Sequence, residues 1–390
     1  MKRSKTNEED EAQERVSKLP SEILSDILSR VPISSLVQFQ YVSPACRSVA
    51  RDPQMVKYLS GIIDNNLCLI FHSGIPLRDN LYFVNYPSHH IEDEQVKRIC
   101  PPFSGSMPEF NIVGSCNGIL CLSDNYFQNE LILYNPFTHY VKKLLESPGY
   151  QNQVAVYGFG FHKETNEYKL VKVIQPRRTV YNYFGSRKKL EPRVQVLIVG
   201  KSKWIDLGKP DCITARLVNW SSQVLASERI HWVAYGSESG ERHIISFCLA
   251  NEKLEKVEKP DSDFLKKRHF NLLSIRDCLA AAFYCNYGRI EIWVRRGYND
   301  VQDLRPTWVN EFFIRKYIPW GMRSSAVSPQ ERGVKVLCVL KNGKILFEYK
   351  GRDIVTYDRH SRRFKRLLFQ GMPSQFKAIL HVGCFNWIDT

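Results

Sequence analysis

No apolar run in this chain of 390 residues approaches the length that crossing a bilayer requires, so no membrane span is expected. The common catalytic signatures are missing as well. There is no G-x-S-x-G elbow, no G-x-x-x-x-G-K-S/T phosphate loop, no H-E-x-x-H pair and no G-x-G-x-x-G fingerprint. Gly158-Phe159-Gly160 lies in a strand pattern and lacks the third glycine. None of the eleven cysteines forms a C-x-x-C pair, which removes the usual zinc and dithiol motifs. Cys116 and Cys121, like Cys278 and Cys285, sit inside apolar strand patterns, where free cysteine behaves as a small buried hydrophobe. The opening MKRSKTNEEDEAQER has no apolar core of the secretory kind and mixes both charge signs, so residues 1–15 read as a short disordered tail. These absences predict reduced thiols and a place in the cytoplasm, the nucleus or both, with no cofactor, no metal and no catalytic residue.

What the chain has in excess is positive charge: 55 Lys and Arg against 40 Asp and Glu leave a net +15. The basic clusters Arg177-Arg178, Arg187-Lys188-Lys189, Lys266-Lys267-Arg268, Arg295-Arg296 and Arg362-Arg363-Lys365-Arg366 fall in separate apparent loops. Scattered in this way they suit solvated loops or an acidic protein partner better than a nucleic-acid surface, which needs its cations gathered together.

Ahead of residue 60 the pattern is helical. Pro20 suits a first helical position, Glu22 the positive dipole end, and Pro32 a stop, so a helix is expected from Pro20 to about Arg30. Ile23, Leu24, Ile27, Leu28 and Val31 form one stripe at helical period. Ser34 or Ser35 caps a second helix with Leu36, Val37 and Phe39, and Ser43-Pro44 opens a third. Three short helices make too small a core to stand comfortably alone, which predicts an apolar partner.

In these residues the chain resembles an F-box, the motif by which substrate receptors join SCF-type ubiquitin ligases. The resemblance implies that Leu19, Pro20, Ile23, Leu24, Ile27, Leu28, Val31, Pro32, Leu36 and Val37 form the surface for a Skp-family adaptor, and through it for cullin and RING subunits. One departure stands in the third helix, where the family usually carries Trp and this chain has Cys46.

Beyond residue 60 a repeat appears. LILYNPFTHYVKKL from Leu131, VQVLIVGKSKWIDL from Val194, IISFCLANEKLEKV from Ile244 and IVTYDRHSRRFKRL from Ile354 align without gaps. Each opens with an apolar strand, crosses a polar turn and returns to large apolar residues at its eleventh and fourteenth positions. Weaker copies start at Leu81, running on to Ile91, and at Ile290, reaching Trp308 after an insertion. Upstream of most copies lies a second hairpin, marked by Asn117-Gly118, Asn342-Gly343, Glu228-Arg229 or Arg276-Asp277. Two hairpins per unit make four strands, and six such units make a propeller. Its last strand, read at Ile379–Phe385, is apolar enough to close the ring on Leu67–Phe71. Val113–Leu122, Tyr134–Thr138, Tyr157–Phe161, Tyr168–Val171 and Ile290–Val294 resemble the F-box-associated domain of a large plant receptor family, related to kelch-like propellers.

The expected fold is mainly β with a small N-terminal α module: a three-helix F-box over 16–60, then a six-bladed β-propeller-like domain over 61–390. By resemblance the chain is a substrate-recognition subunit that acts by proximity, raising the effective concentration of a target lysine beside a charged ubiquitin carrier. A basic scaffold for nucleic acid or chromatin, and a propeller oxidoreductase, are the alternatives from other classes. For the target, the segment between Gln175 and Arg193 is too long for a simple hairpin turn. It sets Tyr181, Tyr183 and Phe184 among Arg177, Arg178, Arg187, Lys188 and Lys189, the mixture enriched at interfaces and suited to an acidic partner, while a solvated loop would have the same composition.

Overall fold

The computed structural model describes residues 67–73, 80–85, 95–124, 130–146, 153–176, 180–181, 187–188, 191–210, 215–217, 223–236, 241–261, 265, 268–285, 289–297, 306–315 and 333–383, with 20, 23, 26 and 27 ahead of them. All six repeat segments are third strands of antiparallel sheets, and the six sheets are the blades of a propeller. Blade two is Phe110–Cys116, Ile119–Asp124, Leu131–Tyr134 and Val141–Lys143. Blade three is Gln153–His162, Glu167–Pro176, Arg193–Ile198 and Ile205–Gly208. Blade four has a divided inner strand, Ala215–Leu217 and Val224–Ala226, both paired with Arg229–Gly236, followed by Arg242–Cys248 and Leu254–Val257. His269–Ile275, Cys278–Cys285, Arg289–Arg296 and Thr307–Ile314 form blade five, and Val334–Val339, Ile345–Tyr349, Asp353–Asp358 and Arg363–Leu367 form blade six.

Blade one joins the two ends of the chain. Leu67–Ser73, Leu81–Asn85 and Lys97–Ile99 supply three strands, and the C-terminal Phe376–Val382 supplies the innermost. Register runs from Leu67 opposite Val382 to Ser73 opposite Phe376, so the expected closure is present, shifted three residues toward the N-terminus. Cys384 and Phe385 lie outside the described residues. So does Ile91, and the strand that follows Leu81–Asn85 is Lys97–Ile99. Innermost strands touch those of the neighbouring blades at five of the six seams, and at the sixth the inner strand Gln153–His162 of blade three touches the second strand Arg229–Gly236 of blade four, which closes the ring.

Burial explains why the strands read as unbroken apolar runs. Six apolar clusters lie one between each pair of adjacent blades, so a strand such as Leu131–Tyr134 is covered on both faces. The segment from Val194 is buried only through Leu197, with Ile198 and Val199 partly exposed. Of the basic clusters assigned to loops, Arg187-Lys188, Arg295-Arg296 and Arg363-Lys365-Arg366 instead belong to strands, the last on the outer edge of blade six, whose open side tolerates charge. Asn117 and Gly118 both adopt positive φ, as their turn type demands, and Ser227-Glu228 and Arg276-Asp277 take the same conformation without glycine.

Strand direction sorts the loops. Turns between first and second strands, and between third and fourth, open on one end of the ring. Second-to-third loops and blade-to-blade links open on the other. Leu67 begins a second strand, so the chain enters the ring on the first end, and the 177–192 excursion leaves from the far end.

Side-chain amides tie the inner strands together. Gln223, beside the break in blade four, donates from Nε2 to the Phe159 carbonyl (2.5 Å) and accepts from the Phe159 N–H (2.6 Å). Gln175 does the same for Leu217 (2.5 and 3.0 Å), and Asn271 for Val336 (3.0 and 3.3 Å). Each amide replaces the neighbouring strand that an inner edge lacks. The fit is close: a Cβ on Gly114 would overlap the Gln223 amide, and one on Gly158 would overlap the Trp232 ring. Gln223→Ala should therefore leave the donor and acceptor of Phe159, a fully buried residue, without partners, at a cost of about 2–4 kcal/mol read from denaturant midpoints. An unchanged midpoint would mean that the clamp carries no stability.

Candidate functional site

On the adaptor side, the described residues are Pro20, Ile23, Asp26 and Ile27, the last three in helical conformation. Four residues apart on one helix, Ile23 and Ile27 share a face, and they are 50% and 47% exposed. A pair of β-branched apolar side chains held in water at helical spacing is a surface that gains by being covered. Leu19, Leu24, Leu28, Val31, Pro32, Leu36, Val37 and Cys46 lie outside the described residues.

On the target side, the excursion from blade three contains a short hairpin in which Val180 faces Lys188 and Tyr181 faces Arg187. Arg177, Arg178, Tyr183, Phe184 and Lys189 lie outside the described residues. Both roots of the excursion are fixed. Gln175 is held by Leu217, Glu191 pairs with Lys209 at 2.7 Å, and Arg193 pairs with Asp206 at 2.7 Å. Arg193 is thus neutralised by a partner that its own blade supplies.

Among the described residues, no group of three or more His, Cys, Asp or Glu could hold a metal. Burial pushes the Cys121 thiol up, so no thiolate forms at neutral pH. Lys172 is lowered to about 8 by burial, beside the Tyr157 ring at 6.0 Å, but it is 2% exposed and out of reach of a substrate. His231 and His381 are fully buried, and burial pushes each down to about 3, with Arg229 and Arg295 adding to the effect at His231. Neither is matched to general-base work at pH 7.

Those two histidines give a pH prediction. The unfolded chain takes up a proton at each near the ordinary value of 6.5, whereas the folded chain does so only near 3. Stability is therefore complete above pH 6.5 and falls as pH drops toward 3, by up to about 1.4 kcal/mol per unit for each histidine. Between pH 7.5 and 5.5 the pair should cost about 2–3 kcal/mol in denaturant unfolding. A His231→Gln, His381→Asn chain should lose that much of the slope, and a slope identical to wild type would show that the titrating groups lie elsewhere.

The amides Gln175, Gln223 and Asn271 were missed by sequence reasoning; an amide set within or beside an apolar strand pattern was the available signal. Among the described residues no helix is long and apolar enough to cross a membrane.

Comparison with known proteins bears on both halves. Residues 67–387 match the family model of the F-box associated beta propeller domain, and residues 16–58 match the F-box domain. The chain is 36% identical to the F-box protein At3g07870 of Arabidopsis thaliana over 394 aligned positions, covering 95% of this chain and 92% of that one. It is 23% identical to the F-box protein CPR1 of the same plant, covering 94% and 88%.

Proposed function

Since the chain belongs to the family of F-box proteins with an F-box-associated β-propeller, we propose that it is the substrate-recognition subunit of an SCF-type ubiquitin ligase. In this reading the module at 16–60 binds a Skp-family adaptor, and through it cullin and RING subunits, while the kelch-like ring over 61–390 holds a target protein. The observation that carries it is the exposed Ile23 and Ile27 pair, on a helix within the stretch matched as an F-box. The protein works in the cytoplasm, the nucleus or both, and the transfer chemistry belongs to its partners. Proximity suffices: two sites on one chain raise the local concentration of the target at the ligase.

Strand topology supports a division of labour, since the chain from the F-box arrives on one end of the ring and the 177–192 excursion projects from the other. We assign target contact to that excursion through Arg177, Arg178, Tyr181, Tyr183, Phe184, Arg187, Lys188 and Lys189, with fixed roots and a basic, aromatic tip that suits an acidic surface. Co-purification with the Skp adaptor, set against salt-dependent retention on DNA, separates this reading from a nucleic-acid scaffold. Replacing Tyr181, Tyr183, Phe184 and Arg187–Lys189 with Ser and Gly should leave adaptor binding intact and remove clients. An unaltered client list at unaltered stability would make the excursion a spacer.

A further inference from the structure

Charge is concentrated on blade six. Residues 334–374 hold ten Lys and Arg against three Asp and Glu, a net +7 of the chain's +15. All three acids are engaged within the fold. Glu348 accepts the Ala378 N–H at 2.7 Å, Asp353 pairs with Arg366, and Asp358 accepts the N–H groups of His360 and Ser361 at 2.8 and 3.2 Å.

At the far end of this blade, the second-to-third turn at 350–352 meets the link leaving the outer strand, and a groove of about 440 Å³ opens between them. Leu367, Phe369 and Met372 give it an apolar lining that continues the core between blades six and one. Leu368 stands beside that lining at 64% exposure, the highest of any large hydrophobic residue among those described. Arg352 lies at the rim, exposed, with no carboxylate partner among the described residues. Lys365 of the same edge strand, two residues before Leu367, belongs to the blade's positive surplus.

We propose that this groove binds an extended acidic peptide segment of a client protein, seating a large apolar side chain against Leu368 and Phe369 and pairing a neighbouring carboxylate with Arg352. Charge complementarity selects the occupant. A phosphate backbone gains from a row of unopposed cations, whereas here Arg366, which also lines the groove, is neutralised by Asp353, and apolar side chains make up most of the rest of the wall beside Arg352, which rewards an apolar anchor beside a single negative group. The groove faces the same end of the ring as the 177–192 excursion, three blades away, so one client segment can be held while another part of the client meets the excursion.

This inference rests on the ring being the client-binding half of a ligase receptor. Its test uses the full chain bound to the Skp adaptor as bait for random twelve-residue peptides displayed on phage. Selection should enrich peptides in which Leu, Phe or Trp lies next to or one residue from Asp or Glu. Synthetic copies of the enriched peptides should bind at least tenfold more weakly to the Arg352→Glu and the Leu368→Asp chains. Both positions are exposed, so melting temperatures should not move, and Arg352→Gln and Leu368→Ser are the milder replacements if they do. Enrichment of peptides without acids, binding indifferent to these substitutions, or no enrichment at all would overturn the proposal. A labelled DNA oligonucleotide bound by the wild type and released by Arg352→Glu would assign the patch to nucleic acid instead. Adaptor retention is scored separately: a bait that does not hold the adaptor counts against the receptor reading, and the same peptide selection on the chain alone still decides the groove.

Discussion

Removal of residues 376–390 is expected to leave a chain that aggregates or fails to fold. Phe376–Val382 is the innermost strand of blade one, paired through seven residues with Leu67–Ser73, and it touches the inner strands of blades six and two. Its loss strips one side of a strand in which every residue is buried, and removes the Phe376 ring packed 4.7 Å from that of Phe71. Phe376, Ala378 and His381 are buried, and Ile379 and Leu380 pack against adjoining clusters. At roughly 1.5–3 kcal/mol for each large apolar side chain, the strand contributes on the order of 5–10 kcal/mol, as much as a typical domain has in total. Seven freed backbone partners and an open ring add to the loss. Circular dichroism and thermal melting of the truncated chain are the measurement. A soluble product with the wild-type melting temperature would mean that the ring does not depend on this strand.

The second large effect is expected at Ile27. Changing it to Asp places a carboxylate at a position that is 47% exposed and belongs to none of the apolar clusters between the blades, so the propeller should melt as before. At an apolar interface the carboxylate would be buried without a partner, a cost of several kcal/mol, and each 1.4 kcal/mol is tenfold in affinity. Loss of Skp-adaptor affinity by about a hundredfold or more follows. Wild-type pull-down by the Ile27→Asp chain would remove Ile27 from the adaptor surface and with it the assignment of this helix.

The blades were legible through their third strands because those strands are the most completely enclosed. Leu131–Tyr134 is buried at all four positions, so its composition is set by packing on both faces. Inner strands were harder to see. Blade four divides its inner strand around an insertion, and neither Ala215–Leu217 nor Val224–Ala226 is long enough to show a period. The inner edges are satisfied by Gln175, Gln223 and Asn271, whose backbone partners lie 42 to 65 residues away. An amide within or beside an apolar strand pattern hints at such a bond, but nothing local in sequence names its partner. The Asn-Gly turns announced themselves, whereas Ser227-Glu228 reaches the same left-handed geometry with Ser227 bonded to Asp277 of the next blade at 3.1 Å. Of the stripe read from Ile23 to Val31, only Ile23 and Ile27 are among the described residues, and both are exposed. The groove on blade six was not legible, since Arg352 and Leu368 meet only when the second-to-third turn and the outgoing link are brought to one corner.

The central claim is that this chain is a receptor tethered to a ligase through an adaptor, and calorimetric titration of the purified full-length chain with a purified Skp-family adaptor tests it most directly. A saturable complex of one adaptor per chain, with a Kd of about 1 μM or tighter and a negative heat-capacity change from buried apolar surface, is the predicted result. A folded chain, its propeller intact by thermal melting, that gives no binding heat at any temperature and does not co-elute with the adaptor would contradict the account.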